Sequence, residues 1–132
     1  MLRPALLGLM LLAACSPPPF GEIRGWAPSN SGTFAGNYRT LALCTLDALD
    51  ERSVLLDFRQ SPPTFNRYVD RVDTKIADVT GYRGAANGTI YGVFEVRFRQ
   101  IGEVVDVQLR QWEHAFDKET IWPAVERCGA KG

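Results

Sequence analysis

The side chains of this chain that could carry chemistry are one histidine, three cysteines, a short acidic cluster and a scatter of aromatics. His114 lies in Trp112-Glu113-His114, so a Ser/His/Asp triad would have to use it as base, and a metal site built on several histidines is excluded. No serine sits in a Gly-x-Ser-x-Gly setting, and neither a P-loop nor a dinucleotide fingerprint occurs. His114 therefore reads as a surface or loop residue, with an enzyme centred on it as a rival reading. Asp47, Asp50 and Glu51 have no further ligand group close in sequence, so they read as a solvated helix face and not as a metal site. No cofactor is expected. Tyr82, Tyr91, Trp112, Phe116 and Trp122 are candidates for a ligand groove between sheet and helices, against the simpler reading that they are core. Cys44 and Cys128 are either a structural pair or free, reactive thiols.

The elements that position these residues follow from hydrophobic spacing. Tyr38 to Arg52 predicts a helix: Tyr38, Leu41, Ala42, Thr45, Ala48 and Leu49 share a face, with Arg39, Asp47, Asp50 and Glu51 mostly opposite. Cys44 falls at the edge of the apolar face. Val54 to Phe58 is a short apolar run expected as a strand, stopped by Ser61-Pro62-Pro63. Thr64 to Thr80 satisfies both helical and alternating spacing, and its β-branched residues favour a strand over about Asp73 to Thr80.

Beyond the turn at Gly84 to Gly88, Ile90, Phe94, Val96 and Phe98 oppose Glu95, Arg97 and Arg99, a half-buried strand. Gly102-Glu103 turns the chain into Val105, Val107 and Leu109, alternating with Asp106, Gln108 and Arg110, which completes a hairpin with opposite charges facing across it. Asp117 to Cys128 predicts a short helix, with Asp117 or Thr120 as N-cap, Pro123 in its first turn, and Gly129 as its stop. Ile121, Ala124, Val125 and Cys128 share a face, so both Cys44 and Cys128 would look into one core. The expected fold is α+β, in the order α-β-β-β-α: an N-terminal helix, an antiparallel meander of three or so strands and a short C-terminal helix.

The first residues are of another kind. Arg3 precedes an apolar run from Ala5 to Leu12 that ends in small residues and a cysteine, the layout of a signal peptide. As a helix the run would span roughly 12 Å, against roughly 30 Å for a bilayer core, so it is too short to cross a membrane. Ser16 to Asn37, with Ser-Pro-Pro-Pro, Pro28-Ser29-Asn30-Ser31-Gly32 and Gly36-Asn37, reads as a flexible linker that lets the domain stand off from whatever holds Cys15. Trp26 and Phe34 in it are expected to pack on the domain, with immersion in a lipid interface as the alternative. The chain thus divides into 1–14 signal peptide, 15–37 anchor and linker, and 38–132 a single domain of ordinary globular composition. With 15 basic and 15 acidic residues it has no basic field to steer it onto nucleic acid.

Leu12-Ala13-Ala14-Cys15 resembles the lipobox of bacterial lipoproteins. The resemblance implies that Cys15 becomes the first residue of the mature chain and carries acyl groups on sulfur and amino group. It implies a membrane partner through that anchor and, with Ser16 following, an outer-membrane address facing the periplasm. It consumes one cysteine and leaves Cys44 and Cys128 as a disulfide pair in an oxidising compartment. Tyr38, Leu41 and Cys44 at the front and Trp122, Val125 and Cys128 at the end also resemble small Gram-negative lipoproteins in which a cysteine-bearing helix and a final Trp-x-x-x-x-x-Cys helix flank a β meander. The expectation is a non-enzymatic envelope lipoprotein that binds another envelope protein, with a small-ligand or inhibitor module as the alternative.

Overall fold

The structure, a computed structural model, describes residues 18–19, 21–56, 65–84, 87–112 and 118–131. The elements run β1 (Asn30–Ala35), α1 (Tyr38–Leu56), β2 (Phe65–Arg71), β3 (Ile76–Gly84), β4 (Ile90–Ile101), β5 (Val104–Gln111) and α2 (Lys118–Ala130), preceded by a 3-10 turn over Glu22–Gly25. The strands form one five-stranded sheet in the order β1-β5-β4-β3-β2, antiparallel throughout. The expected three-strand meander is therefore corrected: β2 to β5 are a four-strand meander, and β1 closes its other edge against β5.

Two of the added strands lie where other structure was expected. Asn30–Ala35, inside the supposed linker, pairs along its whole length with Val104 to Leu109. The ambiguous stretch before Thr80 is a hairpin, β2 and β3 joined by a turn in which Lys75 takes a positive φ of 54°. The Val54 to Phe58 strand is not formed: α1 continues to Leu56, and Asp57 and Phe58 lie outside the described residues. A short apolar run fits a buried helix turn as well as a strand, so periodicity could not separate them.

Helix α1 starts where its cap dictates. The Asn37 side chain accepts hydrogen bonds from the backbone N–H groups of Arg39 (2.9 Å) and Thr40 (3.2 Å). Gln100 then ties that start to the sheet, accepting from Tyr38 N at 2.8 Å and donating to the Gly36 carbonyl at 2.9 Å. The C-terminal helix begins at Lys118, so Thr120 is not its cap; Asp117 lies outside the described residues. It also runs through Gly129 to Ala130, so that glycine is not a stop. A Cβ at Gly129 would strike the Phe34 ring, which makes it the place where β1 and α2 approach closely.

Both helices pack on one face of the sheet. Ala77 and Val79 of β3, Phe94, Val96 and Phe98 of β4, and Val105, Val107 and Leu109 of β5 meet Leu41, Ala42 and Leu49 of α1 and Ile121, Ala124 and Val125 of α2 in a single buried cluster. Burying that much apolar surface is the main driving term of the fold. Gly81 is required in this layer because a side chain there would occupy the space of the Phe94 ring. Cys44 and Cys128 form a disulfide between α1 and α2, with Cα atoms 5.9 Å apart.

Candidate interaction surface

Alternation places a second set of side chains on the sheet face away from the helices. The cross-strand rows read Val69, Asp78, Arg97 and Gln108, then Arg67, Thr80, Glu95 and Arg110, then Arg71, Ile76, Arg99 and Asp106. Arginines outnumber carboxylates, although the whole chain is neutral. Neither α1 nor α2 packs on this face; the 3-10 turn Glu22–Gly25 lies over its β4–β5 corner.

Two of its carboxylates are buried. The Asp78 side chain is 0% exposed, yet it accepts hydrogen bonds from Arg97 Nε (2.9 Å) and Nη2 (3.2 Å) and from Arg71 Nη1. Burial alone would push the Asp78 carboxyl up; the hydrogen bonds and charges of Arg97 and Arg71 outweigh it and hold the carboxyl below its ordinary value. The Asp78 contact in turn raises the Arg97 guanidinium. Glu95, 4% exposed, accepts from Arg24 Nε at 2.6 Å.

Arg24 belongs to the segment before β1, which is a strap across one corner of the sheet. Gly92 N donates to the Pro18 carbonyl at 3.0 Å, Pro19 bridges to Tyr91, and Ile23 is buried over Gly92. Arg110 Nε donates to the Trp26 carbonyl at 2.7 Å, and Ser29 N donates to the Leu109 carbonyl at 2.8 Å. The stand-off linker is thus corrected for the described residues from Pro18 onward: scattered apolar residues and glycines did not mark a free chain, because its backbone bonds partly within its own turn and partly to the sheet. Trp26 is half-buried and Phe34 packs on the core, as expected for packing on the domain.

The residues singled out from sequence lie at several places in the fold, and Trp112 and Trp122 both pack on the helix-side core. The ring of Tyr82 lies 5.7 Å from that of Phe65 at the β3–β4 end of the sheet, and Tyr91 and Trp112 belong to the same end, where Trp112 N donates to the Val93 carbonyl. Trp122, on α2, meets Phe34 at 6.2 Å under the sheet. Two cavities beside the helices are lined by neither Tyr82 nor Trp122. Phe116, His114 and Cys15 lie outside the described residues. Asp50 accepts from Asn66 Nδ2 at 2.7 Å, and no group of three or more His, Cys, Asp or Glu that could hold a metal ion occurs among the described residues.

Asp78, Arg71 and Arg24 escaped the sequence reading. The alternation of Glu95, Arg97 and Arg99 signalled a polar face, but nothing local told a buried carboxylate from a solvated one. Comparison with protein-family models, with curated proteins and with solved structures gave no match.

Proposed function

We propose that this protein is an outer-membrane lipoprotein, held through acylated Cys15, that faces the periplasm and serves as a non-enzymatic interaction module of the cell envelope. The anchor rests on Leu12-Ala13-Ala14-Cys15 and is compatible with the absence, among the described residues, of a helix long and apolar enough to cross a membrane. The observation that supports an interaction role is the sheet face that neither α-helix covers: rich in arginine, capped by the strap of residues 22–26 at one corner only, and backed by a core that the disulfide fastens on the other side. The strand backbone is pre-organised and Asp78 holds the Arg71 and Arg97 side chains in place, which lowers the ordering cost of docking there, and a surplus of guanidinium groups suits a partner surface rich in carboxylates.

The test has two parts. Mass analysis of the N-terminal peptide of the membrane-extracted protein should show acyl groups on Cys15, and an unmodified peptide overturns the anchor. A photo-cross-linking residue should capture an envelope partner from Arg67 or Arg99 on the open face but not from Glu126 on α2. Capture confined to Glu126 overturns the assignment of the face.

A further inference from the structure

The position of the strap changes what the anchor can do. Only Ser16 and Pro17 separate Cys15 from Pro18, whose carbonyl accepts from Gly92 N on β4. Three residue steps reach about 11 Å at full extension. The Cys15 backbone to which an acyl group would be attached is therefore tied within that distance of Pro18, and so near one particular end of the sheet, the end at which β3 turns into β4. Pro19 bridging to Tyr91, Glu22 N donating to the Pro19 carbonyl at 3.1 Å, and the Arg24–Glu95 pair hold the strap there.

The surface of that end suits a lipid headgroup layer. Phe65 is 49% exposed and Ile90 48% exposed, and the Phe65 ring stacks at a tilt on Tyr82. Tyr91 is half-buried beside them. Aromatic rings with one polar atom partition to the membrane–water interface, where the ring is in partly apolar surroundings and the hydroxyl stays hydrated. Exposed apolar residues alone do not choose this end, since Val72 (63%) and Ile101 (50%) stand at the opposite one. The choice is made by the reach of the chain.

We propose that the β3–β4 end of the sheet, with Phe65, Tyr82, Ile90 and Tyr91, lies against the phospholipid headgroups of the membrane that holds Cys15. This rests on the lipoprotein reading of Cys15 given above. The strands then lead away from the bilayer, and the arginine face stays open to the aqueous side for a partner. The domain is seated on the membrane and does not swing on a long tether.

The experiment uses the full lipid-modified chain, reconstituted in vesicles of phosphatidylethanolamine and phosphatidylglycerol that contain a spin-labelled phospholipid. A bimane fluorophore is placed in one preparation at Ile90→Cys and in another at Ile101→Cys. The two sites are similarly exposed and lie roughly 37 Å apart along β4 at about 3.4 Å per residue. Several-fold stronger quenching at position 90 than at 101 is the expected result. Equal quenching at both positions, with acyl groups present on Cys15 by mass, overturns the seating and leaves the anchor standing. Absence of acyl groups from Cys15 overturns the lipoprotein reading and the seating with it.

Discussion

Beneath the helices the sheet buries Val79, Val96, Phe98, Val107 and Leu109; on the face without helices it buries Asp78 and Glu95 to nearly the same depth. The first face is covered by whole elements, α1 and α2, and its attraction is non-directional, so the helices need a covalent tie to fix their mutual position. The second is covered by arginine side chains, and its attraction is directional. Arg71, Asp78 and Arg97 come from β2, β3 and β4, so one carboxylate ties three strands in a single register. A slip of one residue would carry Asp78 into the apolar layer, which is the error such a device penalises. The apolar face thus supplies the non-directional burial that drives folding, and the charged face supplies register and a surface that neither α-helix covers.

Removing the disulfide should have the largest effect. Its cysteines are 84 residues apart, for which the chain-entropy model gives about 4.5 kcal/mol. The Cys44→Ala, Cys128→Ala double variant should lose most of that in urea unfolding, and a loss below about 1 kcal/mol would show that helix packing alone fixes the layer. Next comes Asp78→Asn. Breaking a buried ion pair ordinarily costs 3 to 5 kcal/mol, and partial exposure of both arginines, at 37% and 35%, reduces this to about 2 kcal/mol. The same variant carries a pH signature. Because the folded-state value of Asp78 is depressed below 3.8, its stabilisation is present above the unfolded value and is lost as pH falls through the folded one. Wild-type stability should decline on acidification below about pH 4, and Asp78→Asn should flatten part of that decline. Asp70, depressed by Arg39 and Tyr38 against its own desolvation, supplies a remaining slope of the same sign. An unchanged acid profile in Asp78→Asn would remove the carboxylate from its role on the open face.

How far these faces were legible in the sequence depended on where each strand's polar residues point. The β4–β5 hairpin, with its turn at Gly102-Glu103, was readable because Phe94, Val96 and Phe98 face the helices and Glu95, Arg97 and Arg99 do not. Ile90 departs from that pattern, being 48% exposed beyond the irregularity at Gly81/Tyr82 that shifts the register. The pattern of β2 is inverted: Asn66 and Asp70 lie on the helix side, where they reach Asp50, Tyr38 and Arg39, while Phe65 and Val69 lie outside. Edge-strand chemistry of that kind hides the period. In β1 the inward positions are Asn30, Gly32 and Phe34, and Gly32 is there because the rings of Phe34 and Trp122 leave a Cβ only 3.2 Å. A strand selected for close approach reads as a loop. Both helices and the cysteine pair were legible because Leu41, Ala42, Leu49, Ile121, Val125 and the two cysteines follow helical spacing against one core.

Smaller effects are expected where β1 meets α2 and at the rim of the charged face. Gly129→Ala should stabilise α2 by about 1 kcal/mol on helix propensity alone. The Phe34 ring occupies the space a Cβ would take, and overpacking of that sort costs typically 1 to 3 kcal/mol. A net loss of about 1 kcal/mol in chemical denaturation is expected, and a gain would mean that β1 and α2 are free to separate, leaving the disulfide as the main closure of the helix layer. Smallest of all should be Arg67→Ala and Arg99→Ala on the open face. Arg67 is exposed, and Arg99, with its side chain 53% exposed, stands 3.6 Å from Asp106, so each should change stability by less than about 0.5 kcal/mol. A face whose rim arginines can be removed without cost to folding is free to be selected for a partner, whereas a loss above 1 kcal/mol at either position would make the whole charged ladder a structural layer and leave the helix surface as the place to look for binding.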